Sequence, residues 1–204
     1  MAKLLSALPV GSVVKSTNTK YNGKVIRWIV GTQDTANGRT GLVAEKMITL
    51  KCFDAKEASN PNSSRQSYGN NRYSQSNIDQ WLNSQAASWY SARHSYDAPP
   101  NNANVWSNYN EYDTESGFLS NFEADFRKAI LDAVIRVAKN TVTDGGGYED
   151  ITRKVFLLSN TEVGLSNENS VAEGVLWSYF SRAARRQCYP TAEAVSNSEY
   201  TSSS

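Results

Sequence analysis

The stretch from Glu57 to Ser120 constrains this chain more than any other. It holds 13 serines and 11 asparagines among 64 residues, with few aliphatics. That composition alone would describe a chain unable to bury enough apolar surface to offset the entropy of ordering. The same stretch carries six tyrosines and three tryptophans, Trp81, Trp89 and Trp106, and disordered segments are poor in aromatics. A long, ordered, loop-rich insertion over residues 57–120, within a single domain spanning residues 1–204, reconciles the two facts. Its aromatics pack down, while Asn and Ser side chains bond an irregular backbone. On this reading the tryptophans belong to the core. Tyr68, Tyr73, Tyr96 and Tyr109 stand at the surface as the candidate ligand-binding residues, because tyrosine offers a large contact area at low entropy cost.

Regular elements flank and interrupt this region. A strand is expected from Gly11-Ser12-Val13-Val14, and another over Lys24–Val30, rich in β-branched and aromatic residues. Tyr21-Asn22-Gly23 between them is hairpin chemistry, because Asn-Gly accepts positive φ. Leu42–Ala44 and Met47–Phe53 read as the next strand or strands, giving a three-stranded antiparallel sheet. Ser76–Asn83 reads as a capped helix with Ile78, Trp81 and Leu82 on one face, and Ala86–Ser91 as its extension or a second short helix. A helix is expected over Asn121–Leu131 and strands over Val134–Val142 and Lys154–Leu158, with Thr143–Gly147 a flexible turn. Ser159-Asn160-Thr161-Glu162 and Ser170-Val171-Ala172-Glu173 have capping-box spacing and should open helices, the second running to Arg182. Pro190 and Thr191 read as the start of a new short helix, after which the chain ends in a serine run. A domain that ends while opening an element is expected to be one part of a larger fold.

Composition removes several function classes. A formal net charge of +1 provides no basic excess for neutralising phosphates, so no nucleic-acid partner is expected. No apolar run approaches a membrane span, and residues 1–10 lack a long apolar signal region, so no membrane partner is expected and synthesis in a cytoplasm is. Cys52 and Cys188 lie far apart and read as reduced thiols rather than a disulfide framework. The single histidine, His94, cannot alone build a histidine-based metal centre. No cofactor and no metal is expected.

The remaining constellations have plain readings. Thr143–Asp150 offers oxygens that would suit calcium but lacks the alternating ligand pattern, and reads as a solvated turn. Glu111, Asp113 and Glu115 would be the paired carboxylates of a glycan hydrolase, yet acids at such short spacing in a polar loop are expected to be exposed. Arg182, Arg185 and Arg186 complement a helix C-terminus or meet a partner's acidic patch.

The order of the motifs carries a resemblance. It runs from Val25-Ile26-Arg27-Trp28-Ile29-Val30 through Ser67-Tyr68-Gly69-Asn70-Asn71-Arg72-Tyr73 and Ile78-Asp79-Gln80-Trp81-Leu82-Asn83. It continues through Asn121-Phe122 to Lys154-Val155-Phe156-Leu157-Leu158-Ser159-Asn160-Thr161-Glu162. This resembles bacterial and prophage proteins of unknown function with a C-type-lectin-like, or formylglycine-generating-enzyme-like, fold, in which a W-x-V strand precedes a W-L-N helix and a V-F-L-L-S-x-x-E segment. Ala192-Glu193-Ala194 is similar to the stretch before their C-terminal half. That half carries a W-W-L-R-[ST]-P motif and a G-V-R-P-A closing strand, neither of which occurs before Ser204, so the family's binding residues are not carried over. The copper-binding cysteine pair of the formylglycine-generating relatives has no match in Cys52 and Cys188.

The resemblance implies an α+β, C-type-lectin-like fold: a twisted antiparallel sheet with two or three packed helices and long irregular loops. It implies a non-catalytic phage or prophage particle protein, made in the bacterial cytoplasm and located on the virion. Such a protein binds a host-surface glycan or protein, or decorates the particle beside other particle subunits, as a homo-oligomer. A purely structural capsid or tail protein and a glycan-active enzyme are the alternatives.

Overall fold

A computed structural model describes residues 4–105, 111–167 and 170–196. Among them the chain is α+β, with two small antiparallel sheets and four short α-helices joined by 3-10 turns. β1 (Val13–Tyr21), β2 (Lys24–Asp34) and β3 (Arg39–Ala44) form the first sheet in that order. The β1–β2 turn is the expected one: Asn22 and Gly23 both take positive φ, 47° and 76°, the combination a two-residue hairpin turn requires. Ile26 and Val30 point into the interior from β2 and Ile29 is buried too, so both faces of the strand are covered near its centre. Trp177 lies on Gly31 and Gly41; a Cβ at either glycine would fall within 3 Å of its ring, which explains why no side chain stands there.

The expected strand over Met47–Phe53 does not form. Beyond one bridge between Met47 and Pro190, its carbonyls are taken by distant groups. Cys52 O accepts from the Tyr112 hydroxyl at 2.9 Å, and Phe53 O from the Ile78 N–H at 3.1 Å. This crossing leads to α1 (Ser63–Tyr68) and α2 (Asn77–Leu82). The Ser76 hydroxyl caps α2 by accepting from Asp79 N–H at 3.3 Å, and all six residues of the helix are buried. Trp81 forms the centre of the core. It meets Tyr21 and Tyr112 edge-on at 6.2 and 5.6 Å, and its indole N–H donates to Ser116 O at 3.1 Å. Trp89 stacks on Tyr112 at 5.4 Å. Such aromatic pairs add about 0.5–1.5 kcal/mol each beyond the area they bury. Residues 57–120 therefore supply much of the core. Trp81 and Trp89 lie where expected, and Trp106 falls outside the described residues.

Elsewhere, long-range partners shorten or replace expected elements. Ala86–Ser91 is not helical: Ala86 N–H turns to the Ser84 hydroxyl and its carbonyl accepts from Gly117. The helix expected over Asn121–Leu131 is limited to α3 (Ala124–Ala129), because Phe122 bridges to Thr19 and Glu123 N–H donates to Asn18 O at the edge of β1. β4 (Ala133–Ala138) pairs with β5 (Tyr148–Arg153) across the glycine turn. Arg136 faces Asp150 in register, with guanidinium–carboxylate bonds of 2.9 and 3.1 Å.

The second strand of that ribbon thus precedes Lys154–Leu158, which bends at Lys154 and Val155 and joins no ladder. Asn83 at the end of α2 takes the place of a neighbouring strand. Its amide oxygen accepts from Lys154 and Val155 N–H at 3.0 and 3.2 Å, and its nitrogen donates to Val155 O at 2.9 Å. Ser159 and Glu162 make the reciprocal capping box, at 3.1 and 2.9 Å, but it closes a single turn. The second box does not form, since Glu173 instead accepts from Ala138 N–H in β4 at 2.6 Å. Residues 174–182 hold a 3-10 turn rather than the expected helix. α4 (Ala192–Ser196) opens as expected, with Ala194 N–H on the Thr191 hydroxyl at 3.1 Å.

Candidate functional site

Asp54 organises the irregular half of the molecule. Its two carboxylate oxygens accept from the backbone N–H of Asn77, at the first turn of α2, and of Asn70, after α1, at 2.9 and 2.7 Å. Buried amides at helix ends need such acceptors. Gly69 (φ 74°) makes the approach possible, since a Cβ there would sit 2.3 Å from Ala55 O. Asn77 extends the frame. Its amide oxygen accepts from Ala55 N–H at 2.8 Å, and its nitrogen donates to Asp97 at 3.2 Å. Asp97 closes its own loop by accepting from Arg93 N–H at 2.7 Å, with Tyr96 between them in the left-handed region at φ 68°.

His94 reaches inward from this loop into a group of three carboxylates. Its Nε2 lies 3.9 Å from Asp54 Oδ2 and 3.9 Å from Asp97 Oδ1. Its Nδ1 is 3.0 Å from Ser95 O and 3.7 Å from Glu57 Oε1. The side chains of Asp54 and Asp97 are each 1% exposed, that of Glu57 is fully buried, and that of His94 is 9% exposed. His94 Nε2 and Glu57 Oε1 have no hydrogen-bond partner, a costly state for buried polar atoms. Burial pushes the Asp54 carboxyl up to about 7, against the lowering effect of the Asn70 and Asn77 N–H groups.

The surface tyrosines stand over this frame at two of the four expected positions. Tyr68, at the end of α1, is 69% exposed, and Tyr96 is 52% exposed. Tyr68 is two residues from Asn70, and Tyr96 adjoins Asp97, so each is carried by backbone that the buried carboxylates fix. The expectation for Tyr73 is corrected: it turns inward, its ring against Phe53 at 6.1 Å and its hydroxyl accepting from Leu157 N–H at 3.2 Å. Tyr109 falls outside the described residues. Asp54, Glu57 and Asp97 were missed by the sequence reading. Their signal was two pairs at i, i+3 spacing, Asp54/Glu57 and His94/Asp97, forty residues apart.

Of the other candidate groups, Glu111 is exposed and Asp113 half-buried, and the following are engaged structurally. Glu115 pairs with Lys51 and accepts from the Tyr21 hydroxyl at 3.1 Å. In the glycine turn and β5, Glu149 is bound by Arg72 at 2.7 and 2.8 Å, Asp150 by Arg136, and Asp144 lies 3.7 Å from Arg72. Arg185 stacks on Tyr179 at 5.0 Å. Both cysteines are free thiols, and burial pushes that of Cys52 up to about 12.

The family model described as "Domain of unknown function (DUF6273)" matches residues 37–203, which include the whole of the Asp54–Asp97 frame. No curated protein and no solved structure is similar enough to match. By the extent of that match, the chain belongs to the DUF6273 family.

Proposed function

We propose that this protein is a non-catalytic, C-type-lectin-like module of a phage or prophage particle, located on the virion beside other particle subunits, and that it binds a host-surface glycan or protein. One observation carries the reading: Tyr68 and Tyr96 are exposed while the backbone beneath them is held by buried carboxylate and amide groups. Rigid aromatic display is what a binding face needs. The ring offers apolar contact and a hydroxyl, and little loop entropy is lost on association. Asn and Ser side chains around it supply adaptable hydrogen bonds. Copies arranged as a homo-oligomer on one particle would multiply a weak single contact.

The test is retention of purified protein on host cells and on a glycan array. Wild type is expected to bind, and the Tyr68→Ala/Tyr96→Ala double variant to bind at least tenfold more weakly with unchanged thermal unfolding. Equal binding by both proteins contradicts the assignment of the face. Turnover of a host-wall glycan contradicts the non-catalytic reading.

A purely structural capsid or tail role is favoured by a different observation. Val134, Val142 and Val175 are 71%, 84% and 77% exposed, and such side chains would suit a subunit contact where they share one face. Burial of the Tyr68 and Tyr96 loops between subunits of an assembled particle would decide for that reading.

A further inference from the structure

Asp54, His94 and Asp97 come from two segments forty residues apart, yet each directs one ligand-type atom at a common point, and these three atoms lie within 4.8 Å of one another. We propose that they form a buried three-ligand site for one divalent cation of the zinc class. This inference does not rest on the surface-binding reading.

The imidazole fixes the polarity of the site. Ser95 O can only accept, so the 3.0 Å contact places a proton on Nδ1. Nε2 then directs a lone pair at two carboxylate oxygens, each 3.9 Å away, from a side chain more than nine-tenths buried and without a hydrogen-bond partner. Facing two carboxyl oxygens, that lone pair has no donor. At 3.9 Å a second proton on Nε2 would make an ion pair but no hydrogen bond with either oxygen. A cation in the gap would give Nε2 its missing partner and bind two carboxylate oxygens that already accept from Asn70 N–H and the Asn77 amide. Donors of a tetrahedral zinc site at bond lengths of about 2.0–2.1 Å lie roughly 3.4 Å apart, so each carboxylate oxygen must approach Nε2 by about half an ångström and no pair of the three must close by more than about 1.4 Å.

The surroundings fit the same reading. Metal-bound histidines characteristically donate their other ring N–H to a carbonyl or carboxylate, which orients the ring and raises its basicity. Here Ser95 O and Glu57 Oε1 flank Nδ1. The second oxygens of Asp54 and Asp97 are held by Asn77 and Arg93 N–H, which aim the remaining oxygens at the gap. One imidazole with two carboxylates suits a borderline transition metal, whereas calcium needs six to eight oxygens. With side chains 9% exposed or less, the cation would tie the His94–Asp97 loop to the Asp54 segment, its fourth position left to water.

The test uses the full chain stripped with EDTA and titrated with zinc chloride by calorimetry, with zinc X-ray absorption on the loaded protein. One equivalent is expected to bind, raising the unfolding temperature, with a nitrogen and oxygen shell containing one imidazole. His94→Gln is expected to weaken binding at least 100-fold. If His94→Gln does not fold, Asp97→Asn serves with the same expected loss. Failure of the folded wild type to bind zinc overturns the proposal. So does undiminished binding by the His94 or Asp97 variant, or a sulfur shell at about 2.3 Å, which would place the ion on a cysteine.

Discussion

The three-stranded sheet and the Asp54–Val105 region face the same requirement, a partner for every buried backbone group, and meet it differently. In the sheet, backbone bonds to backbone: Val30 N–H donates to Ser12 O at 2.9 Å, and the β1–β2 and β2–β3 ladders continue the pattern. In the loops, side chains stand in for strands. Asp54 holds Asn70 and Asn77, Asn77 holds Ala55, and Asp97 holds Arg93. Gln80 receives Ser91 N–H at 3.2 Å and donates back to its carbonyl at 3.0 Å. A ladder spreads its stability over many equivalent bonds. A side-chain frame concentrates it, since one residue secures two or three backbone segments. Substitutions in the loop frame should therefore cost more than comparable polar substitutions in the sheet.

The sharpest break is Arg153→Ala. Arg153 holds the fully buried Asp79 carboxylate through two bonds of 2.6 Å, with Arg93 farther off at 3.6 Å. Leaving that carboxylate without its main partner should cost about 3–5 kcal/mol, read as a lower urea midpoint with unchanged slope. Asn83→Ala removes the acceptor of Lys154 and Val155 N–H and should cost about 1–3 kcal/mol. An effect below 0.5 kcal/mol there would refute the claim that a side chain replaces a strand.

The smallest effect is expected at a less buried pair. Arg72 hydrogen-bonds Glu149 and holds its carboxyl below the usual glutamate range. A depressed folded value stabilises above the unfolded value, about 4.3, and the gain is lost as pH falls through the folded value. Glu149→Gln should thus cost about 0.5–1 kcal/mol at pH 7 and progressively less below pH 4. A cost that does not change with pH would place the contribution in packing instead of charge.

What the sequence disclosed follows the same division. Asn22-Gly23, the Ser76 cap and the Thr191 cap are local chemistry, with partners within three residues, and all were legible. Met47–Phe53 and Lys154–Leu158 have strand composition but no strand partner, because Tyr112, Ile78 and Asn83 take their polar groups from far along the chain. The helix expected before Arg182 failed for a similar reason, with Glu173 drawn to β4. Trp81 and Trp89 were legible as core because aromatic rings in a polar stretch have few other places to go. Tyr73 was not, because nothing local separates it from Tyr68. The acid–histidine group was hidden most completely. Each i, i+3 pair looks like ordinary solvated charge until the fold brings both pairs together.

Native-state hydrogen exchange at the Asn70 and Asn77 amides tests the central claim, that buried side chains make the irregular half as firm as a sheet. Both amides lie at loop–helix junctions and both donate to Asp54. The account predicts protection close to that of Val30 in β2, reporting opening only by global unfolding. Exchange as fast as that of the exposed turn at residues 35–38 would contradict it.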